Sequence, residues 1–151
     1  MAPELGFPRS LVSRKETSRK EKFVFLLLIL AQAAHSVEES VARLYDVFAP
    51  ARLVSGLISR NLALGFYTFN AALVTFGLLC WAFPVRREWG WAAGMMWFWI
   101  VLELGNGLGH AALAFWRHGY FPGVATAPLL LLFGAWTAAL LVRRHGPAFA
   151  G

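Results

Sequence analysis

Apolar residues fall into four blocks along the chain, and polar residues gather between the blocks. Each block is close to the ~20 residues that an α-helix needs to cross the hydrocarbon core of a bilayer. The blocks are Phe23–Tyr45, Leu62–Phe83, Trp91–Trp116 and Val124–Val142. Because the connections between them are short, neighbouring helices should pack antiparallel. The pattern predicts an all-α membrane protein, a four-transmembrane-helix bundle.

The predicted bundle forms a single domain between two short tails. The expected boundaries are a basic N-terminal tail at 1–22, the four-helix membrane domain at 23–142 and a C-terminal tail at 143–151. Between the first two helices, the segment Val47–Arg60 alternates apolar with small polar residues. This alternation is compatible with a short helix that lies in the outer membrane interface.

The composition favours a membrane protein over a soluble domain. Of the 151 residues, 58% are hydrophobic and 15% are charged. Soluble globular domains have roughly half apolar residues and roughly a quarter charged residues. The mean hydropathy of +0.56 points the same way. We therefore expect the lipid bilayer to be the main partner of this chain.

The net charge of +6 is unevenly distributed. Lysine and arginine concentrate in three segments that a four-helix topology places on one side of the bilayer. These segments carry Arg9, Arg14, Lys15, Arg19, Lys20 and Lys22; Arg86 and Arg87; and Arg143 and Arg144. By the positive-inside rule that side is cytoplasmic, so both termini should be cytoplasmic, in the cytoplasmic membrane if the protein is bacterial. No folded basic face is apparent, and no nucleic-acid partner is expected.

The N-terminal region also resembles a secretory signal peptide. Basic residues precede the apolar run Phe23–Leu30, and the small residues of Ala31–Ala33 follow it. Cleavage there would leave three helices and would place His35 near a new terminus. The helix-compatible pattern continues through Val37 and Val41, however. This continuity favours an uncleaved first helix.

Two polar motifs interrupt the apolar blocks. The first, HSVEE, runs from His35 to Glu39 in the first predicted helix, and the second, NGLGH, runs from Asn106 to His110 in the third. A charged side chain at membrane depth costs at least ~2.5–3.5 kcal/mol on insertion scales, so such residues usually mark a functional interior. The two motifs are therefore the leading candidates for a site.

The spacing of these polar residues indicates that they converge. Residues three and four apart share a helix face, so His35 shares a face with Glu38 and Glu39. In the third predicted helix Glu103, Asn106 and His110 are three and four residues apart, so they also share a face. At ~1.5 Å per residue, the two polar stripes, one on each helix, lie at a similar depth in the bilayer. Glu38 and Glu39 point about 100° apart, so one can face the pocket while the other meets Arg43 or water. The candidate catalytic residues are His35, Glu38, Glu39, Glu103, Asn106 and His110.

Imidazole and carboxylate groups on facing helices suit a divalent transition metal such as zinc, iron or manganese. A single ion could be held by His35, Glu39 and His110, with Glu38 or Glu103 left as a base. Without a metal, a histidine–carboxylate pair in a dry pocket is a general acid–base device. Either arrangement predicts an enzyme that acts on a lipophilic small molecule entering from the bilayer, with Asn106 orienting the substrate or a ligand.

Three other interpretations of the same residues remain open at this point. A buried His–Glu–Asn network can simply hold helices together in a structural subunit. A row of carboxylates can also relay protons or ions across the membrane in a transport protein. Two histidines on separate helices can ligate haem, although haem does not need the carboxylates. The sequence contains no phosphate-binding glycine-rich loop and no serine nucleophile elbow.

The two motifs together resemble the HXXEE family of small integral membrane proteins, which also carries an N-x-x-x-H motif. Here they read His35-Ser36-Val37-Glu38-Glu39 and Asn106-Gly107-Leu108-Gly109-His110. The later Tyr120-Phe121-Pro122-Gly123 with Thr126 is also similar to the family. The resemblance covers roughly residues 25–140 and implies a membrane enzyme whose reaction is not established. It supports the choice of site residues more than any choice of substrate.

Overall fold

The computed structural model of the chain describes residues 17–145. The predicted N-terminal tail as far as residue 16, and the C-terminal tail from residue 146, lie outside the described residues. The helices are α1 (Arg19–Val41), α2 (Leu44–Val47), α3 (Ala49–Ile58), α4 (Leu62–Cys80), α5 (Ala92–Trp116) and α6 (Ala127–His145). A π-helical turn, Trp81–Val85, extends α4.

Four helices are long and apolar enough to cross a membrane: α1, α4 with its π-helical turn, α5 and α6. No β-strand occurs within residues 17–145. The prediction of an all-α membrane protein with four transmembrane helices is therefore confirmed. The direction in which these helices cross the bilayer stays a prediction from the charge distribution.

The first helix begins and ends earlier than the hydropathy pattern predicts. Ser18 caps its start, because the Ser18 hydroxyl accepts from the backbone N–H of Glu21 at 3.2 Å while the Glu21 carboxylate accepts from the N–H of Ser18 at 3.0 Å. This reciprocal capping box moves the start from Phe23 back to Arg19. At the other end Arg43 has a φ of 54°, a left-handed conformation that separates α1 from α2.

The second and fourth predicted spans also have shifted ends. The helix α4 continues past Cys80 into the π-helical turn around Pro84, where Arg86 N–H donates to the Trp81 carbonyl at 2.9 Å. This wider turn accommodates a proline that has no N–H to donate. The last helix begins at Ala127 rather than Val124, because the preceding residues form a turn around Gly123, whose φ is 96°.

The packing of the bundle leaves a polar layer between two apolar clusters. The helix α6 packs against α5 and α1, and α1 packs against α4, while α3 lies over the start of α4. One cluster includes Phe25 and Trp99, and the other includes Tyr45 and Phe121. Along α1 and α5, the polar motifs lie between these clusters.

The close contact of α3 with α4 depends on a glycine. A Cβ atom at Gly65 would overlap the backbone of Ser55. The absence of a side chain therefore allows the two helix backbones to touch. This contact holds α3 beside the candidate site described below.

Candidate functional site

The structure brings His35, Glu39 and His110 together between α1 and α5. The Nε2 atom of His110 lies 3.0 Å from Oε1 of Glu39, and Nε2 of His35 lies 3.4 Å from the same oxygen. The two imidazole rings meet edge to face, with centroids 4.6 Å apart. All three residues are buried. We call these three residues the His–Glu cluster.

His110 is oriented by the loop that precedes α6. Its Nδ1 atom lies 2.5 Å from the carbonyl oxygen of Pro122. A carbonyl can only accept a hydrogen bond, so Nδ1 of His110 carries the proton. In the neutral ring Nε2 then has a free lone pair, and this lone pair faces Glu39.

The same loop orients His35 through a threonine hydroxyl. Oγ1 of Thr126 lies 2.8 Å from Nδ1 of His35 and donates to Oε2 of Glu38 at 2.6 Å. A hydroxyl has one proton, so Thr126 accepts from Nδ1 of His35. The Nε2 atom of His35 is therefore also unprotonated in the neutral ring, and it is buried without a hydrogen-bond partner.

When both imidazoles are neutral and the Glu39 carboxylate is ionised, three acceptor atoms face one another with no hydrogen between them. These atoms are two imidazole nitrogens and one carboxylate oxygen. Such a group needs either a second proton on one imidazole or a metal ion between the three groups, because buried polar atoms are rarely left without partners. Ligands ~2.0–2.1 Å from a tetrahedral zinc ion are about 3.3 Å apart. The observed separations of 3.0 and 3.4 Å from the shared Glu39 oxygen are close to that value. One ligand atom from each residue lies within 4.8 Å of the others, so the cluster fits a metal ion.

Glu38 faces away from the cluster and holds the loop instead. Its carboxylate accepts from the Tyr120 hydroxyl at 2.8 Å, from the backbone N–H of Gly123 at 3.0 Å and from that of Ala125 at 3.1 Å. It also accepts from the backbone N–H of Thr126 at 2.8 Å, in addition to the Thr126 hydroxyl. Glu38 thus meets the loop before α6, and the expectation that it pairs with Arg43 is wrong. Arg43 pairs with Asp46 at 2.6 Å.

Gly123 makes the close fit between this loop and the histidines possible. Its φ of 96° lies in a region that residues with a side chain rarely adopt. A Cβ atom there would lie 2.6 Å from Cε1 of His110 and 2.7 Å from Cε1 of His35. The loop backbone therefore packs directly on both rings, and only a glycine leaves room for them.

Glu103 lies in a second polar group, which links α1, α4 and α5. It is fully buried. The side-chain amide of Gln32, with its nitrogen facing Glu103, donates to the carboxylate at 2.7 Å. Ser36 lies 3.1 Å from the other end of that amide and donates to Oδ1 of Asn70 at 2.7 Å. Asn106 is half-buried on the same face of α5 as Glu103.

A cavity of about 610 Å³ connects the two polar groups. Glu39, His110 and Glu103 lie at its polar end, and apolar side chains form most of its walls. Three of these wall residues, Phe69, Val101 and Leu102, are also exposed on the outer surface of the bundle. The cavity therefore reaches the lipid-facing surface between α4 and α5. Its lining residues are Gln32, Glu39, Leu44, Phe48, Pro50, Ala51, Val54, Phe66, Phe69, Asn70, Leu73, Val101, Leu102, Glu103, Gly105, Asn106 and His110.

The spacing argument did not identify the loop residues that orient the histidines. Thr126, Tyr120 and the carbonyl of Pro122 lie outside the two helical stripes, where helical periodicity carries no information. Two signals in the sequence pointed to this loop: the similarity of Tyr120–Gly123 with Thr126 to the family, and a Thr126 hydroxyl near the start of the fourth predicted helix that could donate a hydrogen bond or satisfy the backbone. Ser36 was also missed, although it belongs to the HSVEE segment.

Comparison with known proteins finds a family that matches most of the chain. The family described as "Protein of unknown function with HXXEE motif" matches residues 26–137, which include both motifs and the loop before α6. No curated protein and no solved structure shows significant similarity to the chain.

Proposed function

This chain belongs to the HXXEE family, and we propose that it is a metal-dependent membrane enzyme that acts on a lipophilic substrate. In this proposal His35, Glu39 and His110 bind a divalent transition metal: zinc, iron or manganese. The family description names no reaction, so the support comes from the chemistry of the site.

The observation that carries the proposal is the convergence of three buried acceptors. Both histidines present Nε2 to the Glu39 carboxylate, because Thr126 and Pro122 occupy their Nδ1 atoms. Hydrogen bonds that set the tautomer of metal-binding histidines from behind are usual at metal sites. The arrangement has both the ligands and the groups that orient them.

Three protein ligands are typical of catalytic rather than structural zinc sites, since a fourth position stays open for water or substrate. Glu39 and His110 both line the cavity, which would give a substrate access to that position. A bound metal would supply Lewis acidity and would lower the pKa of a bound water. Glu103 and Asn106 also line the cavity. In this proposal Glu103 exchanges a proton and the Asn106 amide orients the substrate.

The geometry favours this function over a bis-histidine haem. Haem iron bound by two histidines needs the flat macrocycle between the two rings. Here the rings of His35 and His110 are in edge contact, with centroids 4.6 Å apart, and Glu39 reaches both of them. No space for a macrocycle lies between these two rings.

A purely structural role fits Glu38 better than it fits the His–Glu cluster. The five donors around Glu38 are well matched to its carboxylate and tie α1 to the loop before α6. The cluster of Glu39 with two unprotonated Nε2 atoms, by contrast, is unfavourable as a helix contact unless one imidazole takes up a second proton or a metal ion lies between the three groups.

The test is elemental analysis of the protein purified in mild detergent, together with its absorption spectrum. We expect one equivalent of zinc, iron or manganese, lost in His35→Ala and in His110→Ala. His118→Ala is the matched control, because His118 lies exposed in the loop after α5. Failure to bind any of the three metals, even after reconstitution, would make the proposal wrong, and a Soret band would replace it with haem. Proton flux in vesicles without bound metal would favour a relay.

A further inference from the structure

The polar end of the cavity carries two carboxyl groups and, within the described lining, no permanently cationic side chain. Two carboxylates, Glu39 and Glu103, reach the lining, and no lysine or arginine occurs among the lining residues that the structure describes. We infer that the substrate is a lipophilic molecule with an uncharged, hydrogen-bonding head group, such as a long-chain alcohol or amide. The inference rests on the proposed function only for the position of the reacting end.

An acidic head group would be poorly accommodated here. A carboxylate or phosphate would approach the Glu39 carboxylate in a low-dielectric interior, where like charges repel far more strongly than in water. No lysine or arginine in the described lining would pair with it.

The nearby arginines do not compensate for this charge. Arg43 pairs with Asp46, and the Arg52 guanidinium donates to the backbone carbonyls of Tyr45 and Asp46. Arg117 lies over the ring of Phe121, 5.4 Å from its centroid. All three arginines are exposed, so their charges remain at the surface of the bundle.

The polar side chains of the cavity suit a hydroxyl or an amide. Asn70 and Asn106 are amides, which can both donate and accept hydrogen bonds. Glu103 accepts. A head group that itself both donates and accepts could be paired by these side chains, whereas an aliphatic end could not.

The rest of the cavity suits one flexible apolar chain. Phe69 and Leu73 of α4 face Val101 and Leu102 of α5 across the cavity, and α3 covers it. A volume of about 610 Å³ lies within the roughly 300–1,000 Å³ range of pockets for single small molecules. Because the wall between α4 and α5 reaches the outer surface, such a chain could enter from the lipid.

Gly105 offers a way to fill this cavity without disturbing the bundle. It lines the cavity, and a Cβ atom at this position would meet no heavy atom within 4 Å. A phenylalanine side chain at this position would therefore fill part of the cavity in which we infer that the ligand binds. Gly94, also in α5, has equally open space but lies outside the cavity lining, which makes Gly94→Phe the matched control.

The experiment is photoaffinity labelling of the full chain in phosphatidylcholine nanodiscs. The probe is a long-chain alcohol with a diazirine in its chain, and the competitors are decanol, decanamide, decanoate and decyl phosphate. We expect labelled peptides from α4 and α5, and competition by decanol or decanamide about tenfold stronger than by either anion, equivalent to about 1.4 kcal/mol. Gly105→Phe should lose most of the labelling, and Gly94→Phe should retain it.

Equal or stronger competition by decanoate or decyl phosphate would overturn the inference, whatever the variants do. Labelling of Gly105→Phe at the level of the unmodified chain would also overturn it. Metal content measured on the same samples separates the two proposals. Selective labelling by the alcohol in protein that binds no metal would refute the metal site and leave the substrate class standing. Stoichiometric metal without selective labelling would refute the substrate class and leave the metal site standing.

Discussion

Thr126 and His35 are joined by a hydrogen bond of 2.8 Å that crosses from the loop before α6 to α1. The Thr126 hydroxyl gives its proton to Glu38, so it receives one from Nδ1 of His35. A residue outside the two membrane motifs thus decides which nitrogen of His35 faces the His–Glu cluster.

Replacing Thr126 should weaken metal binding without removing a ligand. Thr126→Val removes the acceptor for Nδ1 of His35, and loss of such orienting partners typically costs about 10–100-fold in metal affinity. Thr126→Ser keeps the hydroxyl and should stay near the affinity of the unmodified protein. Competition with a chromophoric chelator measures both. Equal affinity in Thr126→Val would show that the threonine does not orient the ligand.

Gly123→Ala should displace both histidines. The left-handed backbone costs a residue with a side chain about 1–2 kcal/mol, and the new methyl group would press on both imidazole rings. We expect a lower thermal denaturation midpoint and reduced metal content. Gly119→Ala is the control, because a Cβ atom there meets only the Arg117 carbonyl oxygen, at 3.9 Å. Unchanged metal content in Gly123→Ala would contradict the observed packing of the loop on the rings.

Mutation should separate the roles of Glu39 and Glu103, the two glutamates at the cavity. Glu39→Gln removes a charged ligand and should abolish stoichiometric metal binding. Glu103→Gln leaves all three ligands in place and should keep the metal, while any activity falls by about 10²–10⁴-fold if Glu103 is the proton-transfer group. Elemental analysis of the two variants side by side decides the assignment. Loss of metal in Glu103→Gln with retention in Glu39→Gln would reverse these roles.

The contact of Tyr120 with Glu38 should be sensitive to alkaline pH. Burial and the hydrogen bond to the Glu38 carboxylate raise the pKa of Tyr120 above the usual 10.0. The protonated phenol is the form that donates, so its contribution to stability is complete below pH 10 and is lost as the pH rises through the raised pKa. Phenolate absorbance of the unmodified protein minus that of Tyr120→Phe should titrate above pH 10.0. A midpoint at or below 10.0 would contradict the contact.

The hydropathy pattern was sufficient to locate the four membrane helices along the chain. Leu62 begins α4 as predicted, and the third predicted span, Trp91–Trp116, closely matches α5, Ala92–Trp116. The first and last spans were displaced, because a capping box and a left-handed residue determine their ends. Hydropathy measures the preference for lipid, whereas helix ends depend on local hydrogen bonds at the caps.

Helical periodicity was similarly sufficient to place His35, Glu39 and His110 on stripes that could meet. It could not decide between Glu38 and Glu39, since both lie within one turn of His35. That choice depends on the loop of residues 120–126, which offers five donors to Glu38 and leaves Glu39 to the histidines.

The sequence by itself determined four apolar helices and the depth at which two polar stripes interrupt them, because both follow from spacing along a single helix. Only the tertiary structure decided the histidine tautomers, the need for glycine at position 123 and the cavity between α4 and α5. These features arise where α1, α4, α5 and the loop before α6 meet. Contacts between distant segments depend on how the helices pack, and that packing leaves no periodic signal in any one of them.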